Sequence, residues 1–99
     1  YSGDTGPSAA LTATATGCDL LLVECSTPDD LAVDGHMSPG RVAELARNAR
    51  PARVVLTHMY PLVAAREPAR TVAERAGLPC VAARDGDVFE VPPEKETRP

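Results

Sequence analysis

Two histidines and two acids stand out in this 99-residue chain as groups that could do chemistry. Asp4 follows Tyr1-Ser2-Gly3, and Glu24 closes the run Asp19-Leu20-Leu21-Leu22-Val23. His36 stands just before Ser38-Pro39, and His58 closes Val54-Val55-Leu56-Thr57. Apolar runs without polar alternation suit strands of a parallel sheet covered on both faces. Parallel strands point their carboxyl ends at one edge, where open α/β sheets bind ligands. Carboxylates and neutral imidazoles converging there are the donor set of a divalent-metal site. They suit zinc, iron or manganese, with an open position that activates a water.

Each of the four also has a plainer role. Asp4 before Thr5-Gly6 can form a turn by bonding its own backbone, and spacing alone favours that. Glu24 can be a capping acid at a strand end, His36 a solvent-facing residue leading into a helix, and His58 a satisfied core histidine. Cys25 beside Glu24 is a nucleophile only if something lowers its pKa, and no neighbour in sequence does; burial is expected. The arginines at 41, 47, 50, 53, 66, 70 and 75 read as solvated helix faces and loops. Arg66, after the His58 loop, is placed to meet an anionic substrate. No P-loop, GxGxxG or serine elbow is present.

The elements that must position these residues alternate along the chain. Ser8 is expected to cap a helix over Ala9–Thr16, stopped by Gly17. A strand over Asp19–Cys25 and a loop over Ser26–Gly35 follow. Ser38-Pro39 opens the best-formed helix, with Val42, Leu45, Ala46 and Ala49 on one face. The strand Arg53–His58 comes next, then an irregular passage to Glu67 and a helix over Ala69–Ala76 ended by Gly77. Asp85-Gly86-Asp87 is predicted to close a hairpin between Cys80–Ala83 and Val88–Val91. Residues 92–99 read as a flexible tail. Strands alternating with helices imply an α/β layer architecture.

Composition bounds the partners. Net charge is −4, and nine of the ten basic residues are arginine, which gives no basic field for nucleic acid or an acidic membrane. Nucleic acid is therefore expected as a substrate only. Three cysteines without C-x-x-C spacing imply reduced thiols in a cytoplasmic protein, with neither a disulfide framework nor a zinc knuckle. No apolar run approaches the roughly 20 residues that span a bilayer. With three aromatic residues and an alanine-rich hydrophobic complement, the core is light for an independent domain. A missing partner segment is expected.

Asp4-Thr5-Gly6 spells the aspartic-protease triplet, but that fold is almost all β, and the helices signalled here exclude it. Taken together, Tyr1-Ser2-Gly3-Asp4-Thr5, Asp19–Glu24, His36-Met37-Ser38 and Val54–His58 resemble the C-terminal portion of the metallo-β-lactamase-fold hydrolases, especially their ribonuclease Z-like branch. The resemblance implies that residues 1–91 are the C-terminal half of a four-layer αββα sandwich. It implies Asp4 as the aspartate bridging two metal ions and His58 as a ligand of the second. Glu24 and His36 then match that branch's proton-transfer pair. The implied cofactor is two Zn2+ ions, with Mn2+ or Fe2+ as alternatives.

Val23 stands where that branch has the first histidine of His-Glu-Ala-Thr, and Met37 interrupts its His-Ser pair. These departures widen the expected activity to a metal-activated water attacking a phosphodiester or similar ester, RNA included. The upstream histidine-rich metal motif of the family is not among these residues, so the 99 residues alone are expected to be inactive. The alternative is a non-catalytic interaction module that keeps this half of the fold. The implied partner is the missing N-terminal half or a second copy of the chain, the latter as a homodimer.

Overall fold

Three short apolar runs do pair side by side. The computed structural model describes residues 1–93. In chain order it contains α1 (Ala9–Ala15), β1 (Leu21–Glu24), a 3-10 turn (Asp29–Leu31) and α2 (Pro39–Ala49). Then come β2 (Val54–Thr57), α3 (Pro61–Ala64), α4 (Pro68–Ala76) and β3 (Cys80–Ala82). The sheet runs β1-β2-β3 and is parallel throughout, with Leu21 beside Val54, Glu24 beside Thr57 and Val54 beside Cys80. At the outer edge of β1, the Ser2 N–H donates to the Leu22 carbonyl at 2.9 Å. The residues before Asp4 thus continue the sheet by one bond.

Side chains alternate across a strand, so each strand divides its residues between two faces. Leu21 and Val23 of the first strand, Cys25 just after it, and Val54 and Leu56 of the second join one buried cluster with α2 and α4. From α2 that cluster takes Val42, Leu45, Ala46 and Ala49, the four positions expected from helical spacing. Glu24, Leu22, Val55 and Val81 belong to the opposite face. Val54, Val55 and Leu56 are all essentially inaccessible, which is the two-sided burial expected of a central strand. The helix ends follow local chemistry. Ser8 Oγ accepts from Leu11 N at 3.0 Å, Ser38 Oγ accepts from Arg41 N, and Gly77 ends α4 in the left-handed region that a side chain disfavours.

Two expectations need correction. The predicted hairpin does not form among the described residues: β3 is a parallel strand, and Val88–Val91 adopts no strand. The turn itself is present, with Asp87 N donating to Arg84 O and Asp87 Oδ2 accepting from Arg84 N. After it the chain leaves the sheet, Phe89 lying under the Arg53 guanidinium at 6.0 Å and the Glu90 carbonyl accepting from Arg53. The segment after the turn is engaged by Arg53, at the start of β2, instead of pairing with β3. The passage after Pro61 is also more regular than expected, because proline at the first turn starts the short α3. Of the predicted tail, residues 94–99 lie outside the described residues.

Leu56 sits fully buried in the helix-side cluster. Leu56→Ala is therefore expected to lower stability by about 2–5 kcal/mol in denaturant titration. Leu62→Ala, at a side chain 48% exposed, should change it by no more than about 0.5 kcal/mol. Equal effects from the two would contradict this placement of the core.

Candidate functional site

Glu24 ends β1 with its side chain on the face away from the helix cluster, yet it is fully buried. A carboxylate in that position requires donors, and four are supplied. Glu24 Oε1 accepts from Thr5 N at 3.3 Å, Met37 N at 3.1 Å and His36 Nδ1 at 3.1 Å. Glu24 Oε2 accepts from Ser26 Oγ in a very short contact. These donors come from three separate segments: the Asp4 loop, the end of β1 and the residues leading into α2.

His36 is therefore oriented. A carboxylate only accepts, so the ring nitrogen facing Glu24 carries its proton and Nε2 is left for other work. The His36 ring is 30% exposed while its partner has no exposure. Met37, the next residue, is fully buried and closes the loop through the bond from Ser26 N to its carbonyl at 3.1 Å. It interrupts the His-Ser pair in sequence, but in space it is the anchor that turns His36 outward.

His58 follows β2 and adopts φ 54°, one of three non-glycine residues in the left-handed region among the described residues. Holding a side-chain-bearing residue there costs on the order of 1 kcal/mol or more. The turn aims its ring at Asp4, with Nδ1 3.0 Å from Oδ1, and both side chains stay open to solvent. The Tyr60 ring packs edge-on against His58 at 5.5 Å between centroids.

All four candidate side chains are thus joined in one bonded series: His58 to Asp4, through the adjacent Thr5 N–H to Glu24, and on to His36. Gly6 helps close this arrangement. A Cβ on Gly6 would lie 3.1 Å from Gly35 N, so the Asp4 loop and the His36 loop meet backbone to backbone.

An oxygen and a nitrogen donor 3.0 Å apart are spaced as neighbouring ligands of an ion at bond lengths of about 2.1 Å. The chemistry of Asp4 and His58 therefore fits a divalent metal, but as part of its ligand set. Among the described residues no three histidine, cysteine, aspartate or glutamate side chains converge on one point.

Other candidates resolve against chemistry. Burial, the largest cause, pushes the Cys25 thiol up to about 12, so it is no nucleophile near neutral pH. Cys80 is likewise raised to about 12 by burial. Arg66 is engaged with Asp30 at 2.9 Å. Sequence reading did not assign Glu24 its partners: the Ser26 hydroxyl was not considered, and the Thr5 and Met37 N–H donors leave no trace in residue type. It placed Arg41 on a solvated face, whereas the side chain is half-buried and bonded to the His36 carbonyl. One signal was available: a cation in the first turn of a helix opposes the helix dipole and needs another reason to be there.

The parallel sheet thus brings two acid–imidazole pairs together near its carboxyl edge, in a mixed α/β architecture. The family model described as "Beta-lactamase superfamily domain" matches residues 1–59, and the chain belongs to that superfamily. Ribonuclease Z of Methanothermobacter thermautotrophicus is 38% identical over 63 residues, covering 60% of this chain and 20% of that protein. The metallo-β-lactamase-fold protein YhfI of Bacillus subtilis superposes on 90% of this chain and 38% of its own, with a TM-score of 0.78 at 22% identity. The chain thus has a metallo-β-lactamase fold and spans a fifth of the curated relative's length. Among the described residues no helix is long and apolar enough to cross a membrane.

Replacing Glu24 strands several buried donors. Glu24→Ala is expected to cost on the order of 3 kcal/mol in denaturant titration; a change below about 0.5 kcal/mol would contradict the four-donor assignment. Cys25 supplies a pH test. The unfolded thiol ionises near its ordinary 9.0, whereas the native thiol keeps its proton to about 12. The unfolded state therefore binds fewer protons in between, and this contribution is whole below pH 9 and lost as pH rises toward 12. Alkaline titration of stability should show a smaller decline in Cys25→Ala than in the parent chain.

Proposed function

We propose that this chain is part of a metal-dependent hydrolase acting on a phosphodiester or similar ester, RNA among its candidate substrates. Asp4 and His58 form part of the metal side, and His36 with Glu24 forms the proton-donor side. The observation that carries this reading is the bonded series His58–Asp4-Thr5–Glu24–His36 at the carboxyl edge of a parallel sheet. Kinship with a protein named ribonuclease Z supports the substrate class.

A divalent ion such as zinc, bound there, supplies an activated water and polarises the phosphoryl oxygen. His36 serves the opposite end of the bond that breaks. Acting as the acid, the His36 ring carries a proton on each nitrogen: Nδ1–H stays bonded to the Glu24 carboxylate, and Nε2–H passes its proton to the leaving oxygen and leaves the neutral Nδ1–H ring. Glu24, held by three further donors, cannot swing away, so the ring keeps one orientation through the transfer.

In this proposal residues 1–91 are the C-terminal half of a four-layer αββα sandwich. Two donors cannot hold two ions, so the 99 residues alone are inactive, and the remaining ligands come from further sequence of the same domain. A non-catalytic module docking on a partner or a second copy is the alternative. It draws support from the edge strand β3, where Val81 is half-exposed.

The test uses a form of the protein carrying the remaining ligands. Asp4→Ala and His58→Ala should each lower bound metal and phosphodiester hydrolysis together, and a chelator should do the same. His36→Ala should keep the metal while slowing turnover by about 10²–10⁴-fold. Full metal content in both ligand variants would sink the assignment. An active protein with unchanged turnover in His36→Ala would remove the proton donor.

A further inference from the structure

The segment that carries His36 to the site has almost no apolar hold on the rest of the protein. Residues 29–35 are all exposed, and Leu31 and Val33 each show about half their surface. Buried Met37 anchors the chain after His36, but no apolar burial holds the seven residues before it, so polar contacts must fix that side. Three of these bear on the loop from outside it. Asp29 Oδ1 accepts from Gly40 N at 2.8 Å, and Asp30 and Asp29 pair with Arg66 and Arg75 at 2.9 and 3.5 Å. The two ion pairs are exposed, a situation in which such pairs contribute little. None of the three touches His36.

Besides Glu24, which holds the ring, one side chain does. Arg41, in the first turn of α2, reaches back over the loop. Its Nη1 donates to the Val33 carbonyl at 3.0 Å and to the His36 carbonyl at 2.9 Å. His36 N donates to the same Val33 carbonyl at 3.2 Å, so one guanidinium closes a small ring of main-chain bonds around His36. Charged donors form the stronger class of hydrogen bond, and a guanidinium presents them in a fixed fork. The helix beneath is itself rigidly seated through Val42 and Leu45. Arg41 therefore references the His36 backbone to the core, while Glu24 references its ring.

We propose that Arg41 is a positioning residue for His36, fixing the imidazole on Glu24 with Nε2 presented to the leaving group. The inference rests on the assignment of His36 as proton donor. Losing the clamp leaves the His36 backbone tethered on the Met37 side only, so the ring holds its Glu24 bond for part of the time, and a displacement of about 1 Å at such a group slows catalysis by about 10²-fold.

Two readouts separate this inference from the functional reading. The first needs no activity. In the 15N-labelled chain, the imidazole nitrogens of His36 should show the Nδ1–H tautomer that the Glu24 bond imposes. Arg41→Met and Arg41→Gln, both helix-compatible, should move that pattern toward a tautomer mixture, while the exposed Arg47→Met should leave it unchanged. The parent pattern in both Arg41 variants overturns the proposal. Loss of the fold in both also overturns it, because Arg41 would then be a structural residue.

The second readout applies to the form of the protein that hydrolyses phosphodiesters. Arg41→Met should slow turnover of an alkyl ester, whose leaving oxygen needs a proton, much more than that of a 4-nitrophenyl ester, whose leaving group does not. Equal slowing of the two overturns the positioning role. A parent protein that hydrolyses neither ester refutes the functional reading, and the tautomer measurement still decides whether Arg41 places the ring.

Discussion

A carboxylate removed from water is stable only where donors replace the solvent it lost, and Glu24 meets that condition through three segments at once. The Asp4 loop contributes a backbone N–H, the end of β1 a hydroxyl, and the approach to α2 another N–H with an imidazole. Each segment is irregular, and only Cys25 and Met37 among their residues are seated in the apolar core. The buried acid is what ties them together. Were it apolar, the Asp4 loop and the His36 loop would lose their shared reference point, though every strand and helix could still form.

The remaining geometry follows from where β2 ends. Register places Glu24 beside Thr57, so the residue after each strand emerges at one edge. His58 then turns at φ 54° to face Asp4. Such a conformation persists in a side-chain-bearing residue only when its surroundings hold it. Here Asp4 and the Tyr60 ring do so on two sides of the imidazole. Exposure differs in an informative way between the two pairs. The His58–Asp4 pair is open to solvent, while the Glu24 end of the other pair is sealed. One carboxylate is accessible from outside; the other has its oxygens taken up by donors of the chain itself.

Much of the fold was legible in the residues themselves. The continuous apolar runs named β1 and β2, Ser8 and Ser38 marked where α1 and α2 begin, and helical spacing picked the buried face of α2. The hairpin failed for a reason outside local pattern. Asp85-Gly86-Asp87 does turn the chain, but Phe89 and Glu90 lie against Arg53, distant in sequence, and do not pair with β3. At the site, residue types named Asp4, Glu24, His36 and His58 as candidates. They left Arg41 on a solvated face, because its partners are main-chain carbonyls that no side-chain pattern reveals.

The amino-acid sequence alone determined the alternation of strand and helix, the burial of the central strand, and the arrival of acids and imidazoles at strand ends. Those properties follow from periodicity, capping and turn chemistry, which act over a few residues. Only the tertiary structure decided which acid met which histidine. It paired His58 with Asp4 across 54 positions of chain and His36 with Glu24 across 12. It also set which pair was buried and which open, because strand register and the meeting of two loops depend on contacts between segments far apart in sequence.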